Sequence, residues 1–289
     1  MPNPIRIGTE QLSVEIAALG AEMQAVQTAD GAQWLWHGDP TFWGGRAPIL
    51  FPMVGRAPND RVTIDGQSFG MGQHGFARRS TFVLAEASAT ACRFELTANA
   101  ETRAMYPFEF LLAVSYRVEA ATVTITAEVS NRDHKVMPFG IGFHPAFVWP
   151  LPGAATDTHG VTLDNGGEPD LYRLQEGLVV PKALPSPFEA GRLVLEHDLF
   201  EDDAMLFPEG AGAGLSYGCP GGPTLKLDWE NLPNLALWTK PDAPFICIEP
   251  WHGTAAEIGG SDDLERRPYS EVLGPGATAR FEVRVAVRG

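Results

Sequence analysis

Between Thr122 and Val129 apolar and polar residues alternate without a break. Val123, Ile125, Ala127 and Val129 fall on one side, Thr122, Thr124, Thr126 and Glu128 on the other. A period of two marks a half-buried β-strand, because successive side chains of an extended chain point to opposite faces. The same reading predicts strands over Leu12–Ile16, Thr81–Ala85, Arg93–Thr97, Leu111–Val118 and Ala279–Val287. Turn formers separate these runs at Asp30-Gly31, Asp65-Gly66 and Gly274-Pro275-Gly276. With 31 Gly and 24 Pro spread along the chain, few windows can hold a helix of several turns. Many antiparallel strands joined by hairpin-like turns predict an all-β fold, a large antiparallel β-sandwich with one inner face free to carry a ligand groove. A barrel or propeller would use similar strands, but no repeat period marks propeller blades.

The stretch from Pro150 to Pro187, rich in Gly, Pro and Asp, reads as a long excursion between strands. Leu171, Tyr172, Leu174, Leu178, Val179 and Val180 give it apolar residues with which to dock, so it does not divide the chain. The expectation is one domain over residues 1–289, with 44% hydrophobic and 20% charged residues supporting a globular core. Acidic residues number 36 against 21 basic, a net charge of -15. That excess repels nucleic-acid backbones and anionic lipid surfaces, so neither is expected as a partner. Cys92, Cys219 and Cys247 are odd in number and lack metal-ligand spacing; they read as reduced, mostly buried thiols with no metal bound. No apolar stretch approaches the ~20 residues of a membrane span and the first residues lack the order of a secretory signal, so a cytoplasmic location is expected; a monomer and a homodimer both stand.

Two motif matches fail on context. Gly70-Met71-Gly72-Gln73-His74-Gly75 has dinucleotide-fingerprint spacing, but Phe76 to Leu84 is aromatic and β-branched where a helix should follow. A glycine-rich loop is the expectation there. Gly214-Leu215-Ser216-Tyr217-Gly218 has the form of a nucleophile elbow, yet Cys219-Pro220-Gly221-Gly222-Pro223 cannot start a helix. It reads as a hairpin turn.

Three segments set ionisable residues among aromatic and turn residues: Gln73-His74-Gly75-Phe76-Ala77-Arg78, Gly142-Phe143-His144-Pro145-Ala146-Phe147, and Ile246-Cys247-Ile248-Glu249-Pro250-Trp251. A lone histidine beside phenylalanine is more often structural than catalytic. Glu249 is sharper, since it ends the apolar run Phe245–Ile248 and is expected at the sheet's end, held by Pro250 and covered by Trp251. A carboxylate partly desolvated in this way becomes a better proton acceptor. Arg46, Arg56, Arg61, Arg78 and Arg79 lie close together in an acidic chain. Most read as a solvated face, but one or two could bind sugar hydroxyls or a phosphate.

Trp43-Gly44-Gly45-Arg46-Ala47-Pro48-Ile49-Leu50-Phe51-Pro52 with Gly55-Arg56, then His74-Gly75-Phe76-Ala77-Arg78, Gly142-Phe143-His144-Pro145 and Glu249-Pro250-Trp251 resemble the aldose 1-epimerase family in motif and order, from about Ile5 to Val287. The resemblance implies a galactose mutarotase-like supersandwich that interconverts the α and β anomers of an aldose by acid/base ring opening and closure, without metal or organic cofactor. It implies Glu249 as general base on the anomeric hydroxyl, His144 as general acid on the ring oxygen, and His74 as a second histidine near that oxygen. Carboxylate and imidazolium are expected on opposite sides of the pyranose. Asp203 resembles a sugar-hydroxyl acceptor, although Asp202 is adjacent. Gln73, Arg46, Arg56, Arg78 and Trp251 are expected as further substrate contacts, with Phe143, Phe147 and Trp251 expected as an apolar wall. Phe76-Ala77-Arg78 departs from the best-known galactose mutarotases and resembles the branch containing hexose-6-phosphate mutarotases, so both free and phosphorylated hexoses stand, with Arg46 and Arg78 as candidate phosphate ligands. A non-catalytic carbohydrate-binding protein, or a glycoside hydrolase or lyase using Asp202 or Asp203 with Glu249, are the rival readings.

Overall fold

A computed structural model describes residues 3–288. Nine antiparallel strands form the larger sheet, in the spatial order Arg192–Val194, Gly160–Leu163, Gly214–Gly218, Thr224–Glu230, Thr278–Arg288, Thr122–Asn131, Phe110–Glu119, Ala91–Thr97 and Val83–Ala87. The alternation read from Thr122 to Val129 is realised in full: Val123, Ile125, Ala127 and Val129 are buried, while the intervening Thr and Glu side chains stay partly in water. Each predicted strand is present with ends moved by up to two residues. The outermost strand, Val83–Ala87, is exposed throughout, and its pairing with Ala91–Thr97 is interrupted by a bulge between Leu84 and Glu86.

A second antiparallel sheet supplies the groove. Its order is Met205–Phe207, Asn234–Trp238, Phe245–His252, Ile141–Phe143 and Ile49–Leu50, with Ala146–Val148 also paired to Phe245–His252. A three-stranded sheet, Ile5–Gly8, Leu12–Ile16 and Met23–Thr28, completes the N-terminal part. One contiguous core draws side chains from Ile7 to Val287 and includes residues of all three sheets. Tyr116, buried in the large sheet, donates its hydroxyl to the Ala21 carbonyl at 2.6 Å, and Tyr106 does the same to Pro138 at 2.8 Å. The only α-helix among the described residues is Ala100–Met105, closed by an Asn99–Thr102 capping box. None of the helices is long and apolar enough to cross a membrane.

Two expectations need correction. Gly214–Gly218 is a strand inside the large sheet, and the turn comes after it, at residues 219–223. Glu249 does not end a strand: Phe245–His252 continues through Pro250 and pairs with Asn234–Trp238, so the carboxylate lies mid-strand opposite Ala236. Pro250 sits within this strand opposite Leu235.

The excursion from Pro150 to Pro187 does dock. It contains the strand Gly160–Leu163 and a small hairpin of Leu174–Gln175 with Leu178–Val179, and it buries Leu171 and Val179.

Two glycines show what the backbone demands. In the Asp65-Gly66 turn both residues take positive φ, +50° and +75°, as a two-residue hairpin requires, and a Cβ on Gly66 would meet nothing. Gly75 is also left-handed, at φ +69°, but a Cβ there would lie 2.2 Å from the Phe51 carbonyl oxygen, which accepts the Phe76 and Ala77 amides. Gly66→Ala should therefore cost only the left-handed penalty, roughly 1 kcal/mol. Gly75→Ala should cost that plus a backbone collision that no rotamer relieves, about 2 kcal/mol or more. Paired thermal or urea unfolding of the two variants checks this, and equal losses would contradict it.

Candidate active site

Phe245–His252 is buried on both faces, and strand alternation sorts its side chains. Ile246 and Ile248 enter the main core, each contributing about 1.5–3 kcal/mol by leaving water. Phe245, Cys247, Glu249 and Trp251 take the other face. There Phe245 and Cys247 belong to one small apolar cluster, with Trp36 and Ala146, and Trp251 belongs to another, with Leu206 and Ala236. Glu249 lies between these clusters. The neighbouring strand sets Ala236 opposite it, and Leu206 opposite Ala236, so small and apolar side chains leave space above the carboxylate.

His144 arrives from the other side. Gly142 pairs with Trp251, and two residues on, His144 points to the same face. Gly142 cannot carry a side chain, because its Cβ would sit 2.4 Å from the Trp251 ring. The His144 imidazole stacks on Trp43, with centroids 4.9 Å apart and planes at 22°, and meets the edge of Trp238 at 5.9 Å. Its Nε2 is 3.2 Å from Glu249 Oε2, but out of line for a hydrogen bond, so Glu249 Oε2 has no partner and neither does His144 Nδ1. Carboxyl and imidazole thus stand side by side, and not opposed across a sugar as the sequence suggested.

His74 is fixed by its backbone. It adopts φ +63°, donates its amide to the Gly55 carbonyl at 2.8 Å, and accepts the Gly55 amide on Nδ1 at 3.1 Å. A neutral ring accepting on Nδ1 carries its proton on Nε2. That N–H is a donor, so the Gln73 amide 3.3 Å away must offer it oxygen. The Gly55 loop is itself held by the buried Arg267, whose Nη2 donates to the carbonyls of Val54 and Thr254 at 3.2 and 2.8 Å.

These groups line a cavity of about 330 Å³, together with Trp43, Gln73, Arg78, Leu174, Gly177, Asp203, Leu206, Trp238, Lys240 and Trp251. The volume lies at the small end of the roughly 300–1,000 Å³ typical of small-molecule sites. A larger concavity of about 1,010 Å³ covers the solvent face of the nine-stranded sheet, but its Arg93, Glu128, Glu282 and Arg284 pair with one another. Size does not decide the question; uncompensated buried groups do.

Burial dominates the electrostatics. It pushes the Glu249 carboxyl well above the usual carboxylate range, with the Asp203 charge acting in the same direction and the nearby Trp251 indole, out of line for a hydrogen bond, opposing them. It pulls His144 down to about 3 and His74 well below the ordinary histidine value. Burial thus disfavours the charged form of both groups, and a proton held by the Glu249–His144 pair is favoured on the carboxyl over the imidazole.

Of the residues singled out in the sequence, Glu249, His144, His74, Gln73, Arg78, Asp203 and Trp251 meet at this cavity. Asp203 lines it and Asp202 does not. Arg46 lies elsewhere, its guanidinium donating to the His37 carbonyl at 2.8 Å and to Gln24 at 2.7 Å. Arg56 pairs with Asp60 at 2.9 Å and reaches the Glu176 carbonyl at 3.4 Å, so it braces the hairpin and does not face the cavity. Phe143 and Phe147 turn into the core, and Trp43 and Trp238 form the aromatic walls. Trp43 heads a motif quoted for its order along the chain, while Trp238, Lys240 and Leu174 carry no local signal; the fold alone delivers them.

A family model described as Aldose 1-epimerase matches residues 4–198. Protein LacX of Lactococcus lactis subsp. lactis, in both chromosomal and plasmid forms, is 31% identical to the chain across 98% of its length and 99% of theirs. A galactose mutarotase-like protein from Lactobacillus casei superposes with a TM-score of 0.91 at 30% identity, covering 99% of this chain and 100% of that one. A galactose mutarotase related enzyme from Lactobacillus acidophilus gives a TM-score of 0.91 at 27% identity, covering 99% and 97%. A buried carboxyl–imidazole pair on a mutarotase-like β-sandwich thus comes with a matched family model over most of the sequence and relatives of full length, and the chain belongs to the aldose 1-epimerase family.

Proposed function

We propose that this protein is a mutarotase, a single-domain enzyme that interconverts the α and β anomers of an aldohexose, with Glu249 and His144 moving the two protons. The observation that carries the reading is the 3.2 Å approach of two buried, unpartnered ionisable groups on the wall of a sugar-sized cavity. Ring opening takes a proton from the anomeric hydroxyl and delivers one to the ring oxygen. Both oxygens are bonded to C1, so an acid and a base standing side by side, as this pair does, can reach both.

With both side chains buried, the shared proton is favoured on Glu249. A bound sugar favours the other arrangement, because its hydroxyl donates to a carboxylate while its ring oxygen accepts from an imidazolium, and hydrogen bonds to charged forms stabilise them. With the proton moved to His144, Glu249 removes the hydroxyl proton, His144 protonates the ring oxygen, and the C1–ring oxygen bond breaks. Rotation about C1–C2 presents the other face of the aldehyde, and the same groups close the ring with roles exchanged. Proton transfers of this kind supply roughly 10²- to 10⁴-fold. His74, once its Nε2–H is exchanged from Gln73 to the sugar, is a second donor toward the ring oxygen or its neighbours. Asp203 and Gln73 hold hydroxyls, and Trp43, Trp238 and Trp251 cover the sugar's apolar face.

The half-buried Arg78 has its Nε without a partner, and Lys240 stands on the same cavity. Two cations at one small pocket in so acidic a chain favour a hexose 6-phosphate over the free hexose.

Polarimetry on fresh α-D-glucose, α-D-galactose and α-D-glucose 6-phosphate tests the reading. Glu249→Gln and His144→Asn should each lower the catalysed rate by roughly 10²-fold or more while the chain stays folded. Sugar binding with no faster approach to equilibrium would leave a carbohydrate-binding protein in place of an enzyme. Arg78→Ala should raise KM about tenfold or more for the phosphorylated sugar and little for the free one; equal effects on both would remove the phosphate.

Stability should move the opposite way to activity in Glu249→Gln. A carboxyl whose folded pKa is raised stabilises the fold only while it is protonated, so stability falls as pH climbs from the unfolded value near 4.5 through the raised one. Glutamine removes that loss, and the variant should gain on the order of 1 kcal/mol at pH 7, with the gain shrinking toward pH 4. Urea titrations at both pH values check the sign.

The rate should also lack an inflection near 6.5, where an ordinary histidine titrates. The pair keeps its single proton from the lowered His144 value, about 3, up to the raised Glu249 value, so activity falls at high pH when that proton is lost. A kcat/KM profile with an acid limb at the usual histidine pKa would contradict the buried-pair assignment.

A further inference from the structure

Cys247 has no part in the proton transfers, yet it occupies the groove-facing side of Phe245–His252 two residues before Glu249. Strand periodicity therefore aims its Sγ to the same side as the carboxyl, behind the cavity surface and fully buried. A His144 ring nitrogen, Cys247 Sγ and a Glu249 carboxyl oxygen all lie within 4.8 Å of one another. We propose that these three side chains form a reversible binding site for a thiophilic divalent cation, Zn²⁺ being the natural probe, and that its occupation removes acid and base from the reaction together.

The donor set fits such an ion. Imidazole nitrogen, thiolate and carboxylate are a standard zinc complement, with bonds of about 2.0–2.3 Å. Ligand atoms on one tetrahedral centre then stand about 3.5 Å apart, and the imidazole–carboxyl separation of 3.2 Å already matches. The sulfur, within 4.8 Å of the other two ligand atoms, closes on the ion by side-chain adjustment. The fourth position faces the cavity and takes water or a sugar hydroxyl.

A second observation points to a ligand. Glu249 is 2% exposed and its Oε2 has no hydrogen-bond partner, so a buried acceptor is already aimed at the point where the cation would sit. Charge also balances. One dication with a thiolate, a carboxylate and a neutral imidazole is neutral overall, the form that low-dielectric surroundings tolerate best. On binding, the thiol proton and the proton shared by Glu249 and His144 both leave to solvent, and no electron is transferred. Mg²⁺, which prefers oxygen ligands and six-coordination, does not match this set.

The inhibitory consequence rests on the mutarotase reading, but the metal site does not, so binding and activity are measured separately. Purified full-length protein is titrated with ZnCl₂ against a chromophoric chelator, and with Co²⁺ to look for the near-ultraviolet charge-transfer band of a cobalt–thiolate bond. The expected result is one ion per chain and a band that disappears in Cys247→Ala, together with zinc affinity weakened by roughly 10- to 100-fold or more. Where mutarotation is observed, zinc should inhibit it, EDTA should restore it, and Cys247→Ala should keep the metal-free rate while losing the sensitivity. Cys247→Ser, with an oxygen in place of sulfur, provides the isosteric check on folding. Equal zinc affinity and equal inhibition in the wild type and Cys247→Ala would overturn the proposal, as would cobalt binding without a thiolate band. Cysteine-dependent binding with undiminished mutarotation would support the site and count against Glu249 and His144 as the proton carriers.

Discussion

The arrangement depends on one uncomfortable contact, a buried carboxyl and a buried imidazole brought within 3.2 Å of each other. Each group would be more stable in solvent, and burial drives both toward their neutral forms. Nothing in the immediate shell compensates for this: Glu249 Oε2, His144 Nδ1 and the Trp251 indole nitrogen all lack partners. The cost is met by the large apolar core on which the site is mounted, since marginally stable proteins can hold such groups only where surrounding packing determines their positions.

That packing works through the geometry of one strand. Because Phe245–His252 is covered on both sides, Ile246 and Ile248 lock it into the sandwich while Glu249 and Trp251 are presented together to the groove. The partner strands respond with small residues at the close approaches, Gly142 against Trp251 and Ala236 against Glu249. His74 is held by different means, a left-handed backbone and a reciprocal pair of hydrogen bonds with Gly55, itself held by the buried guanidinium of Arg267. A strand-mounted group and a loop-mounted group thus reach the same cavity by independent anchoring.

The sequence made the sheets legible because a half-buried strand writes its two faces directly into the chain, as Thr122–Asn131 does. It was less informative where both faces are buried. In Phe245–His252 the continuous apolar run hid the fact that Glu249 lies mid-strand, and Pro250 suggested an end that is not there. Residues carried by motifs, His74, His144 and Glu249, do converge on one cavity, whereas arginines chosen by their proximity along the chain separated. Arg46 and Arg56 are committed to Gln24 and Asp60, and only Arg78 faces the pocket. Trp238, Lys240 and Leu174 come from distant segments brought together by strand pairing and by the docked hairpin, and no local pattern announces that.

A different feature governs how the molecule meets its neighbours. Val83–Ala87 leaves one edge of the nine-stranded sheet uncovered, and Val83 there is 70% exposed. A straight, uncharged edge of this kind would accept strands from other molecules and let the sheet grow without limit. The irregularity between Leu84 and Glu86 breaks the even row of amide donors and carbonyl acceptors and sets a negative charge beside it. Such an edge is a poor template for a further strand, so the device that ends the sheet lies in the sequence of its last strand.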